Sequence, residues 1–468
     1  MGTVRLFKHH LHTAFVWLAI IEGLLFIAAV FIGAYLRFQG DAGSVGDSIG
    51  PVLPRALIFS GVMLVSMGAM GLYQPHTREG LSGTWIRATG AFVFMAVGLS
   101  LVFYWFPELL LGRGALALTA FVTFLFIALS RMLFHRRVNQ ERLKRRVLVY
   151  GAGHRARLVL DRLRRESDRR GFSFAAFIAV DGEEQIVDSN QVIKLDRSIF
   201  EYVDQNQIDE ILVAVDDRRK GLPVQELLEC KLNGTDVLDV VDFFERESGR
   251  IMLEFVTAGW MVFSDGFNNG TLRATTKRLF DIAASLVLLI AIWPMMLLTI
   301  VAIWLEEGFR APILYRQQRV GVNGEPFDVL KFRSMSIDAE KDGKAVWAKQ
   351  NDSRVTRVGH FIRRCRIDEL PQIFNVLKGD MAFVGPRPER PQFVEQLEKR
   401  IPHYAARHQV KPGIAGWAQL CYPYGANDED ARQKLQFDLY YVKNHSMFLD
   451  FLILVQTVEV VLFGKGAR

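Results

Sequence analysis

The chain has 468 residues, of which half are hydrophobic and 23% are charged, and its formal net charge is +7. That length favours two to four folding units, and apolar content this high is typical of a membrane protein. The same composition, with only 15 Pro residues, excludes disorder for most of the chain. Three Cys residues without metal-like spacing exclude a disulfide scaffold.

Four apolar stretches of membrane-spanning length lie within residues 1–135, where the sequence predicts a four-helix transmembrane domain. Each approaches the ~20 residues that cross a ~30 Å hydrocarbon core. Seven basic residues lie between Arg131 and Arg146, around the end of the fourth stretch. By the positive-inside rule they place both ends of this domain at the cytoplasmic face, so we interpret them as a topology signal and not as a nucleic-acid site. The stretches are Ala14–Tyr35, Val52–Leu72, Trp85–Phe106 and Ala115–Phe134.

Residues 136–270 follow an α/β pattern that predicts a cytoplasmic Rossmann-like domain with a parallel sheet. Gly151-Ala152-Gly153 follows its first strand, in a pattern whose glycines let a backbone approach a pyrophosphate at a helix N-terminus. However, Asp181 lies later than the usual acidic partner, and the chain has no Tyr-x-x-x-Lys pair. A role in assembly or regulation is therefore favoured over nucleotide binding at Gly151 and Gly153, and redox catalysis is disfavoured. The strand candidates are 147–150, 175–180, 211–215 and 236–241.

A fifth apolar stretch, Leu279–Leu305, lies near the start of the last predicted domain, residues 271–468, and contains Pro294. Proline removes a backbone hydrogen bond, so the helix is expected to break or kink there. Basic residues on both sides favour a re-entrant membrane helix that returns to the cytoplasmic face, over an ordinary span with a kink. A final apolar stretch, Met447–Phe463, is interrupted by Asp450 and is expected to form a helix at the membrane interface or on protein.

Four clusters of charged, Gly-rich and Pro-rich sequence in this last domain predict phosphate chemistry. Arg and Lys bind phosphate oxygens, and a carboxylate can hold Mg²⁺ that is shared with substrate phosphates. Asp368 and Glu369 are adjacent carboxylates, of which one can attack phosphorus or act as a base. One such cluster alone would more often be a solvated helix face. Four clusters beside a membrane helix instead favour a functional site for phosphate chemistry. They are KFRSM (331–335), RRCRIDELPQ (363–372), residues 379–389 and KPGIAGW (411–417).

Residues 275–468 resemble the bacterial sugar transferases that act on polyprenyl phosphate, the monotopic phosphoglycosyl transferases. The whole layout, with four spans and a Rossmann-like domain in front, is similar to the large, WbaP-like members. The resemblance implies transfer of a sugar-1-phosphate from a UDP-sugar to undecaprenyl phosphate with release of UMP, at the cytoplasmic face of the bacterial inner membrane. This is the first membrane step of exopolysaccharide, capsule or O-antigen assembly. The matching blocks are KRLFDI (277–282), QQRVG (317–321), KFRSM, DELPQ (368–372), NVLKGDM (375–381), GPRPE (385–389) and KPGIAGWAQ (411–419).

The resemblance assigns roles to individual residues of this chain. It implies that Asp368 is the nucleophile that forms a phosphosugar-aspartyl intermediate and that Glu369 helps to bind Mg²⁺. Arg363, five residues before Asp368, is implied to contact phosphate, and Arg387 of the GPRPE block to line the nucleotide-sugar site. The further substrate- and phosphate-binding candidates within the matched blocks are Lys331, Arg333, Asp380 and Glu389.

Two other functions compete with this interpretation. One is a membrane-bound sugar-nucleotide dehydratase or oxidoreductase built on the middle domain, and the other is a non-catalytic scaffold of polysaccharide assembly. The sequence does not identify the sugar, although family precedent favours glucose over galactose. The large members are thought to be homodimers, which the resemblance carries to this chain. The family's helix break is commonly Ser-Pro, whereas this chain has Trp293-Pro294, so the break is expected to survive through the proline.

Overall fold

The computed structural model forms two compact units, Met1–Ser248 and Gly249–Arg468. Each unit is described by itself below. The described residues are 3–6, 9–38, 51–73, 81–138, 144–164, 169, 171–217, 222–267, 270–336, 354–422 and 427–462.

The first unit begins with a short antiparallel hairpin and four long apolar helices. Helix α1 packs against α2 and α4, and α2 packs against α3. Each of the four apolar stretches predicted from the sequence forms one of these helices, and all four are long and apolar enough to cross a membrane. The elements are β1 (Thr3–Leu6), β2 (His9–His12), α1 (Thr13–Arg37), α2 (Val52–Ala69), α3 (Leu81–Trp105) and α4 (Arg113–Val138).

A buried polar cluster joins α1 to α4 inside this apolar bundle. The Glu22 carboxylate accepts hydrogen bonds from Arg131 at 2.9 Å, Ser130 at 2.8 Å and Tyr73 at 2.7 Å. Glu22 and Arg131 are both buried. A single buried charge is energetically costly in an apolar environment, so Glu22 and Arg131 stabilise each other. Their ion pair fixes how α1 and α4 face each other.

The Rossmann-like sheet predicted from the sequence is present, with five parallel strands in the order β5-β4-β3-β6-β7. Strand β3 is buried almost throughout, which explains its continuous apolar run. The sequence did not predict β5, which has only two residues and therefore too little pattern to detect. The strands are β3 (Arg145–Tyr150), β4 (Phe172–Ile178), β5 (Val192–Ile193), β6 (Glu210–Val213) and β7 (Asp236–Asp239). The helices are α5 (His154–Arg162), α6 (Ile199–Gln205), α7 (Val224–Leu232) and α8 (Val240–Ser248).

The second unit combines one long helix with shorter helices and two-stranded sheets. Its helices are α9 (Ala258–Phe263), α10 (Thr271–Glu307), α11 (Arg357–Arg364), α12 (Gln372–Lys378), α13 (Pro391–Arg400), α14 (Trp417–Cys421), α15 (Asp428–Asn444) and α16 (Met447–Leu462). Its strands are β8 (Leu314–Val320), β9 (Pro326–Phe332), β10 (Ala382–Val384) and β11 (Gly413–Ala415).

Helix α10 corrects one expectation, because it runs as a single α-helix through Pro294 instead of breaking into two helices there. Proline deletes only one N–H of the helical ladder, and the bonds on either side keep the segment helical. The expectation that the segment is re-entrant in the membrane is separate from this correction and stays a prediction.

Both ends of α10 are attached to the rest of the second unit. Near its start, Asp281 accepts a hydrogen bond from the Phe383 N–H at 3.2 Å. At its end, Glu306 accepts the N–H groups of Arg357 at 2.8 Å and Val358 at 2.9 Å, at the N-terminus of α11. Between these two attachments, α10 exposes large apolar side chains that include Ile290, Leu298 and Leu305.

The C-terminal helix α16 turns its polar residues towards protein. Asp450 and Gln456 are buried, whereas Met447 and Phe451 are exposed. Asp450 bonds Lys277 of α10 at 2.5 Å, so the acidic residue that interrupts this apolar stretch anchors α16 to α10.

Candidate active site

The predicted carboxylate pair lies on a tight turn between α11 and α12. Ile367–Glu369 form one 3-10 turn, preceded by Arg366 in a left-handed backbone conformation with φ of 58°. Successive side chains of a 3-10 turn point about 120° apart, so Asp368 and Glu369 face different surroundings. Ile367 is buried with Phe332 and Ile362, which fixes the turn on the hydrophobic core.

Glu369 is the centre of a charged cluster drawn from three separate segments. Its Oε1 atom accepts from Lys331 Nζ of β9 at 3.1 Å and from Arg387 Nη2 of the GPRPE loop at 2.9 Å. Arg366 Nη1 lies 3.8 Å from the same oxygen. The fold therefore gathers KFRSM, DELPQ and GPRPE around one carboxylate, although they are spread over more than fifty residues of sequence.

The two carboxylates experience opposite electrostatic environments. Burial, and then the negative charge of Glu369, raise the pKa of Asp368. Burial alone would also raise the pKa of Glu369, but Arg387, Lys331 and Arg366 together hold it well below its usual range. Two adjacent carboxyl groups whose pKa values are pushed apart are suited to different tasks. Glu369 is a fixed anion, and Asp368 is the more basic carboxylate of the two.

Lys331 is held in the cluster by a residue that the sequence did not single out. Asn375 of α12 accepts the Leu330 N–H at 3.0 Å and donates to the Asp328 carbonyl at 2.7 Å, so it fastens α12 to β9. Burial lowers the pKa of Lys331 and Glu369 opposes that shift. The only local signal for Asn375 was its position at the start of the NVLKGDM block.

The GPRPE loop is positioned from two sides by two arginines, Arg319, which is half-buried, and Arg407, which is buried. Arg319 of β8 donates to the Pro388 carbonyl at 3.0 Å and lies 3.5 Å from the Glu389 carboxylate. Arg407 donates to the Arg387 carbonyl at 2.9 Å and pairs with Asp438 of α15 at 2.8 Å. The sequence pointed to neither arginine as a site residue, because both act on main-chain atoms that carry no sequence signal.

The glycines of two matched blocks serve close backbone packing. Strands β10 and β11 pair in parallel, with Ala382 opposite Gly413 and Val384 opposite Ala415. A Cβ on Gly385 would lie 2.3 Å from the Lys411 carbonyl oxygen, and one on Gly413 only 2.0 Å from the Gly385 nitrogen. Only glycine fits at these crossings, so the two blocks meet at the base of the Arg387 loop.

The other predicted site residues form hydrogen bonds or ion pairs outside the Glu369 cluster, or lie beside it. Arg333 donates to the Pro312 carbonyl at 2.9 Å, and Asp380 pairs with Lys378 at 2.9 Å. Arg363 lies in the last turn of α11, and its charge opposes the raised pKa of Asp368. Thus Asp368, Glu369, Lys331 and Arg387 come together, whereas Arg333 and Asp380 are engaged elsewhere.

The carboxylate pair is chemically suited to Mg²⁺ without forming a complete metal site. Across the described ranges no group of three or more His, Cys, Asp or Glu side chains is arranged to hold a metal ion. Mg²⁺ is usually held by one or two carboxylates, with substrate phosphates and water completing its shell. The adjacent Asp368 and Glu369 meet that requirement as oxygen donors, so the residues present fit Mg²⁺ bound together with a substrate phosphate.

Helices of membrane-spanning length are joined in this chain to a buried carboxylate ringed by cations, which indicates a membrane-associated protein with a charged site whose residue types are suited to phosphate. The family model described as bacterial sugar transferase matches residues 272–464, and one described as a CoA-binding domain matches residues 68–222. A Bacillus subtilis (strain 168) protein named uncharacterized sugar transferase EpsL is 41% identical over 192 residues, which are 41% of this chain and 90% of that protein. The chain belongs to the bacterial sugar transferase family.

Two longer relatives carry more specific names. The UDP-N-acetylgalactosamine-undecaprenyl-phosphate N-acetylgalactosaminephosphotransferase of Aeromonas hydrophila is 42% identical over 253 residues, 54% of this chain and 58% of that protein. The UDP-glucose:undecaprenyl-phosphate glucose-1-phosphate transferase of Xanthomonas campestris pv. campestris is 35% identical over 280 residues, 58% of this chain and 56% of that protein. The chain therefore spans a little over half the length of these two relatives.

Proposed function

We propose that the protein transfers a sugar-1-phosphate from a UDP-sugar to undecaprenyl phosphate and releases UMP. The observation that carries the proposal is the Glu369 carboxylate bound by Lys331 and Arg387, with Asp368 beside it. Cations of this kind are suited to holding a diphosphate, and a second carboxylate beside them is suited to attacking phosphorus. The names of the relatives support the same reaction, with glucose or N-acetylgalactosamine as the sugar.

In the proposed reaction a carboxylate oxygen of Asp368 attacks the phosphorus that bears the sugar. A new P–O bond forms to Asp368 as the bond from that phosphorus to the bridging oxygen breaks, and UMP leaves with the bridging oxygen. A phosphate oxygen of undecaprenyl phosphate then attacks the same phosphorus. The bond to Asp368 breaks, its carboxylate is regenerated, and a lipid diphosphate sugar is formed.

The charges around Asp368 and Glu369 suit the two carboxylates to different roles in this reaction. Because burial and the neighbouring Glu369 raise the pKa of Asp368, its ionised carboxylate is a stronger nucleophile than an ordinary exposed carboxylate. Arg387 and Lys331 are positioned to stabilise negative charge on phosphate oxygens. Glu369 and the donor phosphates would hold Mg²⁺, which supplies further stabilisation of the charge on departing UMP.

The membrane arrangement is part of the proposal. We place α1 to α4 across the bacterial inner membrane, with the Rossmann-like and transferase domains at its cytoplasmic face, where UDP-sugars are found. Helix α10 would enter the same membrane and return. The attachment of both ends of α10 to the second unit, through Asp281 and Glu306, supports that placement, because one folded unit holds both ends. The return of this continuous helix would require a kink at Pro294.

The covalent step can be tested without the lipid acceptor. The purified full-length protein in detergent is incubated with Mg²⁺ and UDP-glucose or UDP-N-acetylgalactosamine, and its peptides are analysed by mass spectrometry. The expected result is a phosphosugar adduct on the peptide that contains Asp368, lost after adding undecaprenyl phosphate. Asp368→Asn should form no adduct, whereas Asp428→Asn, a surface control paired with Arg400, should form it normally. UMP release by the wild type with no adduct at any stage would refute the aspartyl intermediate.

A further inference from the structure

The parallel sheet of the first unit has a crevice of the kind that binds nucleotides in other α/β folds. The strand order reverses between β3 and β6, and ligands of open parallel sheets bind beyond the carboxyl ends of strands at such a point. The loop Gly151–Gly153 leads from β3 into α5, whose N-terminus is suited to a phosphate group. The matching CoA-binding domain model covers this region and implies such a ligand.

The chain's own carboxylates occupy the position of that phosphate. Asp216, from the loop after β6, accepts the N–H of His154 at 2.8 Å and the N–H of Arg155 at 2.7 Å. Glu183, from the loop after β4, accepts the N–H of Ala152 at 3.1 Å and that of Asp216 at 2.7 Å. The backbone N–H groups of Ala152, His154 and Arg155, which line the start of α5, are therefore already bonded.

The two glycines of the motif are explained by this internal packing. A Cβ on Gly153 would lie 2.3 Å from Asp216 Oδ2 and 2.9 Å from Glu183 Cδ, so the space that the glycine leaves is filled by the carboxylates. Gly151 has φ of 124°, and a Cβ there would lie 2.7 Å from the Ala214 carbonyl oxygen of the neighbouring loop. Neither glycine requires a ligand to account for it.

We propose that this crevice is closed from within, so that the domain does not bind CoA or a dinucleotide and Asp216 and Glu183 act as a built-in replacement for its phosphates. A diphosphate entering the crevice would meet two carboxylates of its own sign, and bringing like charges together opposes binding. The carboxylates instead tie the loops after β3, β4 and β6 to one another. The role of the domain is thereby structural, and the likeness to CoA-binding domains is one of fold.

The test measures binding of CoA and NAD⁺ to the full-length protein in detergent by equilibrium dialysis. These probes lack the uridine of the proposed donor substrate, so the binding that they report is not expected to come from the proposed catalytic site. The wild type should bind neither at millimolar concentration. Asp216→Ala/Glu183→Ala frees the three backbone donors and should bind CoA at least ~tenfold more tightly than the wild type, since ~1.4 kcal/mol of relieved repulsion is already tenfold.

Two further variants make the result specific to these carboxylates. Asp216→Asn/Glu183→Gln removes the charge with little change of shape, and it replaces the alanine variant if that one fails to fold by circular dichroism. Asp217→Ala/Glu184→Ala removes the same number of charges from adjacent positions and should gain no affinity. Tight binding of CoA or NAD⁺ by the wild type, or no gain in any folded Asp216/Glu183 variant, would overturn the proposal.

Discussion

The buried ion pair between Arg407 and Asp438 offers a sharp test of how the Arg387 loop is positioned. Both side chains are more than nine-tenths buried and their charged atoms lie 2.8 Å apart. Arg407 also donates to the Arg387 carbonyl, so it acts on the candidate site through the backbone of that loop. The informative perturbations are Asp438→Asn, which breaks the pair, and Arg407→Met/Asp438→Leu, which replaces it with apolar side chains.

The expected magnitudes differ between these variants. Removing one partner of a buried ion pair leaves an uncompensated charge and costs about 3–5 kcal/mol, whereas replacing both is often neutral or stabilising. For a unit of this size each kcal/mol lowers Tm by roughly 2–4 °C, so Asp438→Asn should lower Tm by about 6–20 °C. The double variant should melt near the wild type. It still loses the bond to the Arg387 carbonyl, which positions the loop, so kcat/KM should fall about tenfold, the effect of about 1.4 kcal/mol of lost transition-state stabilisation.

The assay combines thermal melting in detergent, followed by tryptophan fluorescence, with UMP release from a UDP-sugar. Arg400→Met is the matched control, because it removes an arginine from an exposed pair with Asp428 and should change Tm by no more than about 2–4 °C. A double variant with wild-type Tm and wild-type kcat/KM would refute the positioning role of Arg407. An Asp438→Asn variant with unchanged Tm would refute the description of the pair itself.

Three other outcomes follow from the same geometry. Because its pKa is raised in the folded protein, ionised Asp368 costs stability above that pKa, and Asp368→Asn should therefore raise Tm at pH 7. The difference should shrink as the pH falls below the raised pKa and vanish below the pKa of an ordinary Asp. A lower Tm for the variant at pH 7 would contradict the raised pKa. Glu369→Gln should slow UMP release and flatten its dependence on Mg²⁺ concentration, and an unchanged Mg²⁺ response would remove Glu369 from the metal site. A cysteine introduced near the C-terminus, in a cysteine-free background, should not react with a membrane-impermeant maleimide added outside spheroplasts. Labelling of that cysteine would place the transferase domain outside the cytoplasm and contradict the proposed orientation.

Patterned segments of this chain were predictable, whereas details set by single residues were not. The apolar helices and the main strands of the sheet follow from length and periodicity, which depend on many residues at once. Strand β5 has only two residues and carries no periodicity. At Pro294 the sequence predicted a break or a kink, and the structure excludes only the break, since one missing N–H does not end a helix whose other bonds remain.

The charged residues of the candidate site could be predicted from the sequence, whereas the hydrogen bonds that position them could not. Asp368, Glu369, Lys331 and Arg387 stand in recognisable blocks, and the structure brings them together. Their opposite pKa shifts could not be foreseen, since they depend on which cations the fold brings to which carboxylate. Asn375, Arg319 and Arg407 were missed because they bond main-chain atoms of distant segments.

The glycine motif of the middle domain shows the same limit of sequence reasoning. Nucleotide binding at Gly151 and Gly153 was one interpretation, beside a role in assembly or regulation and the disfavoured redox catalysis. The proposal of a closed crevice depends on Glu183 and Asp216, about 30 and 60 positions further along the chain. Only the sheet topology brings their loops to the start of α5.

The measurement that tests the central claim most directly is UMP release by the purified full-length protein, with undecaprenyl phosphate, Mg²⁺ and a panel of UDP-sugars that includes UDP-glucose and UDP-N-acetylgalactosamine. Asp368→Asn is assayed beside the wild type, with its fold checked by circular dichroism. The account predicts UMP and a lipid diphosphate sugar from at least one donor with the wild type, and neither product with the variant. Folded wild-type protein that releases no UMP from any donor, or an Asp368→Asn variant as active as the wild type, would contradict it.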